Sequence, residues 1–293
     1  MIQPVHLQRH GWLGLALGGP PLILIFTLAF GGGAAWAESV ELAGDPELAQ
    51  LESDQRYLRP YEPLKDWRGK PMRYCVSLPA DFDPSERYPI LLEWPGKGGG
   101  PRTQVFREVY GVDDHVHVGL AYPEQSRGGA LLYATEAYTR LVRHVYDDVV
   151  NNFRGDPDHV FIGGFSAGGF MATGPGISLM IRAGLRDSLA GVLAGGCNWM
   201  SDPRYAHERN ILLWYSTEDP NSSDLTRRLP AVREHAAQLK IIEREGAEHV
   251  CQPEVEGPAI RRFLARHGPA GGEQASQDAP PDAPEASARA EDP

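Results

Sequence analysis

The sequence predicts an α/β fold, a mostly parallel central sheet with helices on both faces. Three observations carry that expectation. Short apolar runs such as 90–94 and 160–162 recur along the chain, as strands buried on both sides do. Stretches with apolar residues at helical spacing lie between them, and Gly and Pro clusters mark the joins. With 293 residues, 42% hydrophobic and 23% charged, the chain has an ordinary globular balance and length for one large domain.

Taken in order, 72–78 alternates as a half-buried strand, and 79–84 is a Pro/Asp-rich turn. A strand over 90–94 ends in Pro95-Gly96-Lys97-Gly98-Gly99-Gly100, and another covers 116–121. Tyr138, Leu141, Val142, Val145 and Val149 fall on one face of a helix within 134–153. Gly155-Asp156-Pro157-Asp158 closes it and a strand begins at Val160. Later strands are expected over 191–194, 210–215 and 240–243. Helices are expected near 170–183 and 230–239, and a last one over 258–267. Strands separated by helices pair in parallel.

The ends differ from this middle. Residues 1–37 read as a signal peptide. His6, Arg9 and His10 precede an uncharged stretch over 11–30, and Ala35-Trp36-Ala37 makes a small-x-small cleavage site before Glu38. The alternative is an uncleaved membrane anchor, which Pro20-Pro21 and the glycines weaken. Either way the domain at 38–268 is expected to be secreted or periplasmic. The tail, 269–293, has no Leu, Ile, Val, Phe, Tyr, Trp or Met and is expected to be disordered. The net charge of −11 argues against a nucleic-acid partner, since phosphate binding needs clustered Lys and Arg. Three cysteines are too few for a disulfide scaffold and lack zinc-site spacing.

The strongest local signal is Gly164-Phe165-Ser166-Ala167-Gly168. An apolar strand precedes it, and Gly169 and a helical run follow. So tight a strand-to-helix turn needs small flanking residues. It exposes the serine hydroxyl above the sheet and leaves the next amide free to donate.

With this elbow the chain resembles the α/β-hydrolase superfamily, most of all the compact secreted esterases of the polyhydroxybutyrate-depolymerase and feruloyl-esterase type. The likeness covers about 72–267. It rests on Leu78-Pro79 through Tyr88-Pro89 into 90–94, on the Ser166 elbow, on Ser216-Thr217-Glu218-Asp219-Pro220 and on Gly246-Ala247-Glu248-His249. The resemblance implies a chain order of nucleophile, acid and base, hence Ser166, Asp219 and His249. A serine hydroxyl needs such a base within reach and a carboxylate to set its tautomer. Glu218 and Asp224 rival Asp219, but Glu218 is one residue off in direction and Asp224 suits the cap of a helix starting near Leu225. His235 lies within a helix and His267 at a helix end, where the dipole favours histidine. The oxyanion hole would use the amide of Ala167 and one from the loop after Trp94, Lys97 or Gly98. Here the chain departs from the family, with Pro95-Gly96 where His-Gly is usual.

The expected function is an exported serine esterase with no metal or organic cofactor, acting on a small-molecule or polymeric ester. Little room remains between Ser166 and Asp219 for a large cap domain. A membrane is a partner only if the leader stays. The rival readings are a peptidase of the prolyl-oligopeptidase type and an inactive hydrolase fold used for binding. Cys197 and Cys251 are expected to form a disulfide at the C-terminal edge of the sheet, leaving Cys75 free; three buried thiols are the alternative. His115 and His117 share a strand face without a third metal ligand at suggestive spacing and read as surface polarity. Trp199 and Trp94 fit either a substrate pocket or core packing. Glu93, alone in an apolar strand, either pairs with a basic residue or faces the cleft.

Overall fold

The apolar runs pair into one sheet in the computed structural model, which describes residues 39–66, 69–122, 136–246 and 248–269. The chain divides into two units after Trp36. The first, which holds the signal-peptide expectation, lies outside the described residues, as does the tail beyond 269. Among the described residues the nine strands are β1 (Val40–Glu41), β2 (Arg56–Lys65), β3 (Pro71–Ser77), β4 (Tyr88–Trp94), β5 (Val116–Gly119), β6 (Gly155–Phe165), β7 (Leu189–Gly195), β8 (Asn210–Ser216) and β9 (Gln238–Arg244). They lie in the order β1-β2-β3-β5-β4-β6-β7-β8-β9. From β5 to β9 every pairing is parallel, and β3 is antiparallel to both β2 and β5.

Strand periodicity splits the core into two layers. Ile90, Leu92 and Trp94 of β4, Val160 and Ile162 of β6, and Ile211, Leu213 and Tyr215 of β8 enter one cluster. It also takes the apolar faces of α2 (Glu136–Asn152), α4 (Ile177–Arg182) and α5 (Leu225–His235). The intervening Leu91, Phe161, Leu212 and Trp214 enter the other, with Phe106 of α1 (Val105–Glu108) and Ile260, Phe263 and Leu264 of α6 (Pro253–His267). Helices therefore cover both faces. The short α3 (Ala167–Met171) leaves the end of β6.

Some elements differ from the expectation. β2 is absent from it, because Pro60, Pro63 and four charged residues hide any two-residue period. The prolines are tolerated because β1 pairs only with Tyr57 and Leu58, leaving the rest of β2 as an edge. Arg59 is buried there by a two-pronged contact with Asp148, at 3.1 and 2.7 Å, and Asp148 also accepts from the Tyr74 hydroxyl at 2.5 Å. The helix after the elbow is broken by a five-residue π turn over Ala172–Gly176 containing Gly174 and Pro175. α5 ends at His235 and β9 begins at Gln238, inside the stretch expected to be helical. α6 starts at Pro253, five residues before its expected start; a proline suits the first turn, where its missing N–H costs nothing.

Candidate active site

The chain runs from β4 to β5 on one side and then crosses to β6 on the other. Such a reversal opens a crevice at the C-terminal strand ends, where ligands bind in open α/β sheets. Ser166 stands there, at the end of β6. Its backbone is held at φ 58° and ψ −121°, a region that few non-glycine residues occupy. The Ser166 amide donates to the Gly195 carbonyl at 2.9 Å, and Phe170 N–H donates to the Ser166 carbonyl at 3.0 Å. The flanking glycines are dictated by space. A Cβ on Gly168 would lie 2.0 Å from the Trp94 carbonyl oxygen, and one on Gly164 2.6 Å from the Gly168 backbone.

The next two strands deliver the partners. Asp219 follows β8 and caps a 3₁₀ turn over Pro220–Ser222, with its side chain almost fully buried. His249 lies in the loop after β9 with its side chain 30% exposed, so the imidazole meets the buried acid and is also open to solvent. His249 Nδ1 is 2.6 Å from Asp219 Oδ2, and its Nε2 is 2.7 Å from Ser166 Oγ. The shorter contact needs a proton between nitrogen and carboxylate, which makes Nδ1 the donor and leaves Nε2 to accept from the serine. The structure thus brings Ser166, His249 and Asp219 into one chain of hydrogen bonds. Glu218 is exposed beside it. Asp224 occupies the N-cap position of α5 without a side-chain cap bond and accepts instead from Arg227 at 3.0 Å. His235 closes α5, and His267 pairs with Gln238 at 2.8 Å, away from the serine.

Several residues of this arrangement had no role assigned from the sequence. The Ser216 hydroxyl donates to the Glu248 carbonyl at 2.8 Å, tying the histidine loop to β8. Buried Arg244 donates to the Val250 carbonyl at 2.9 Å and sits 3.2 Å from Glu256, whose other oxygen accepts from Gln252 N–H and Tyr110. The Phe165 ring lies 4.9 Å from the His249 ring, centre to centre. Asn221 donates twice to Asp219; its place two residues beyond the acid, in a Pro/Asn turn, is the one cue the chain offered for it.

Ala167 opens α3, so its amide has no acceptor within the helix. The expected second donor, Lys97, is exposed in a turn closed by Gly99 N–H to the Gly96 carbonyl at 3.0 Å, with Gly98 at φ +85°. The glycine run is thus an ordered turn, and the Tyr122 hydroxyl braces it by donating to the Pro95 carbonyl at 2.6 Å.

Other expectations are corrected. Cys197 and Cys251 form no disulfide: Cys75, Cys197 and Cys251 are all free thiols. Cys197 packs in the core layer of α2 and α4, whereas Cys251 packs against the layer of α1 and α6, so the sheet stands between them. Burial pushes both thiols up to about 12 and Cys75 up to about 11. His115 and His117 are buried, not surface residues. Burial holds the His117 ring well below the usual histidine range, and the ring bonds to the Val112 carbonyl at 2.7 Å. Trp199 and Trp94 are core residues, and Trp94 donates to the Tyr138 hydroxyl at 2.8 Å. Glu93 does not face the cleft, and among the described residues it pairs with no cation. It is fully buried and accepts from the Phe106 amide, at the start of α1, at 3.2 Å. Burial raises its carboxyl well above the ordinary range.

No family model and no curated protein sequence matches the chain. Solved structures do. Thermogutta terrifontis esterase 2 superposes with a TM-score of 0.52 at 15% identity, covering 75% of this chain and 95% of that one. The ferulic acid esterase of Anaeromyces mucronatus gives 0.52 at 12%, covering 78% and 94%. Dipeptidyl peptidase 4 of Porphyromonas gingivalis gives 0.53 at 13% over 74% of this chain, which spans 36% of that longer protein. The fold is that of the α/β-hydrolases. In this chain the stretch from Ser166 to Asp219 is taken up by α3, the π turn, α4, β7, a 3₁₀ turn and β8, all belonging to the sheet and its covering layers.

Proposed function

We propose that this chain is an exported serine hydrolase that cleaves carboxylic esters. The single observation supporting this reading is the run of hydrogen bonds from Ser166 through His249 to Asp219 at the mouth of the crevice. In the proposed reaction His249 Nε2 takes the Ser166 proton as Oγ attacks the acyl carbon. The oxyanion is held by the Ala167 amide and one from the turn at Lys97. The imidazolium, steadied by Asp219, then gives its proton to the leaving alcohol, and water releases the acid from the acyl-enzyme by the same path. The crevice has no inserted lid between Ser166 and Asp219, which suits a bulky or polymeric ester as well as a small one.

The test is hydrolysis of short p-nitrophenyl esters, with fluorophosphonate labelling beside it. Ser166→Ala should abolish labelling, and His249→Ala should remove the base. Asp219→Asn should lower kcat by about 10⁴-fold, as tautomer loss does in serine proteases. The losses should not add, because the three residues act as one unit. A parent inert toward esters but active on peptides would favour the peptidase reading. A parent that cleaves neither and takes no label would favour a binding role. Export is checked by N-terminal sequencing of the secreted or periplasmic protein, which should begin at Glu38; a membrane-bound product retaining 22–26 would mean an anchor.

A further inference from the structure

We propose that Asn221 is a positioning residue for the acid, an inference that rests on the hydrolase reading above. Asp219 has two carboxylate oxygens and only one of them meets the histidine. The other, Oδ1, accepts two hydrogen bonds from a single residue, from Asn221 N–H at 2.9 Å and from Asn221 Nδ2 at 3.0 Å. Two donors on one oxygen oppose rotation of the carboxylate about its own axis, so Oδ2 stays directed at His249. The same Nδ2 lies 3.3 Å from His249 Nδ1. Because Nδ1 carries the proton shared with Asp219, this is a contact against the ring edge, where the amide group abuts both members of the pair. The orientation of the amide is dictated chemically: turned over, its oxygen would face Asp219 Oδ1, acceptor against acceptor.

The elements around it supply no equivalent. The Asp219 amide itself donates back to the Ser216 carbonyl, and the hydrogen bonds to the carboxylate among the described residues come from Asn221 and His249 alone. Many buried carboxylates are steadied by an arginine. Here a neutral amide does the work, which leaves the carboxylate's charge undivided for the imidazolium that forms during turnover. Asn221 is itself exposed. Replacing it costs no core packing, so a loss of rate reports on the acid rather than on folding.

The experiment compares Asn221→Leu and Asn221→Asp with the parent on a short p-nitrophenyl ester. Leucine keeps the backbone donor and removes the side-chain one. Its kcat should fall about 10- to 100-fold, the worth of one hydrogen bond to a charged group. KM should stay within about twofold and the melting temperature within a few degrees. Aspartate sets a like charge against Asp219 and should cost more than leucine. In an Asp219→Asn background Asn221→Leu should cost almost nothing further, since no carboxylate remains to be held. A second readout needs no substrate: the far-downfield proton resonance of His249 Nδ1–H···Asp219 should be present in the parent and lost or moved in Asn221→Leu. Parent-like kcat in Asn221→Leu, or an equal loss in the Asp219→Asn background, would overturn the proposal. If the parent neither cleaves esters nor takes label, the hydrolase reading fails separately, and the resonance alone decides: unchanged in Asn221→Leu, it sinks the positioning role; moved, it upholds it.

Discussion

At Ser166 the backbone itself is under strain. A φ of 58° with a ψ of −121° is a conformation that glycine accepts freely, and a residue with a Cβ gives up about 1–3 kcal/mol to hold it. Ser166→Gly should therefore be more stable than Ser166→Ala, although both lose the hydroxyl. Urea unfolding of the two variants measures the difference, and equal midpoints would show that no strain is stored there. Glu93 makes a comparable case in electrostatics. Its buried carboxyl favours the protonated form in the folded protein, which therefore binds more protons than the unfolded chain. Stability from this group is present at pH below the ordinary carboxyl range and is lost as pH rises toward the raised value. Glu93→Gln cannot titrate, so its melting temperature relative to the parent should climb as pH rises above the ordinary carboxyl range. A pH-independent difference would mean that Glu93 is not driven toward its neutral form.

Among the elements, the loop between β9 and α6 does most to place His249, and it has almost no regular structure of its own. It is tied at several points: Ser216 to the Glu248 carbonyl, Glu218 N–H to the Gly246 carbonyl, Arg244 to the Val250 carbonyl and Glu256 to the Gln252 amide. Arg244 and Glu256 are both buried. Removing the cation leaves a buried carboxylate without its partner, which typically destabilises by about 3–5 kcal/mol. Arg244→Met should thus lower the denaturation midpoint strongly. The double variant Arg244→Met/Glu256→Gln should recover much of the loss, since neither charge remains. If the single and double variants were equally unstable, the pair would matter through packing alone. The elbow shows the same dependence on neighbours: α3 can start only because Gly164 and Gly168 let the end of β4 come within contact distance.

For the molecule as a whole, two core layers on opposite faces of one sheet decide what can meet what. Cys197 and Cys251 both belong near the C-terminal strand ends, yet they face different layers. Thiol titration in denaturant without reductant should count three groups on protein purified from an oxidising compartment. One titratable thiol would mean that a bridge forms. In the native state, burial should make Cys75 and Cys197 slow to react with thiol reagents, since the thiolate is the reactive species.

Much of this organisation was legible in the chain before any coordinates. The strands from β4 to β8 announce themselves because residues buried on both faces must be apolar whichever way they point. The elbow does so because its turn admits only small residues around the serine, and the order of Ser166, Asp219 and His249 follows from the resemblance. What the tertiary structure decided are the features set by neighbours distant in sequence. β2 is a strand because β3 pairs with it and Asp148 neutralises Arg59. The cysteines stay apart because alternate sides of a sheet do not touch. Glu93 is buried because α1 brings its amides to it. Asn221 bears on the acid through a hydrogen bond that only the folded turn creates. Local pattern records which surfaces a residue can tolerate; which partner it meets there depends on where the rest of the chain comes to lie.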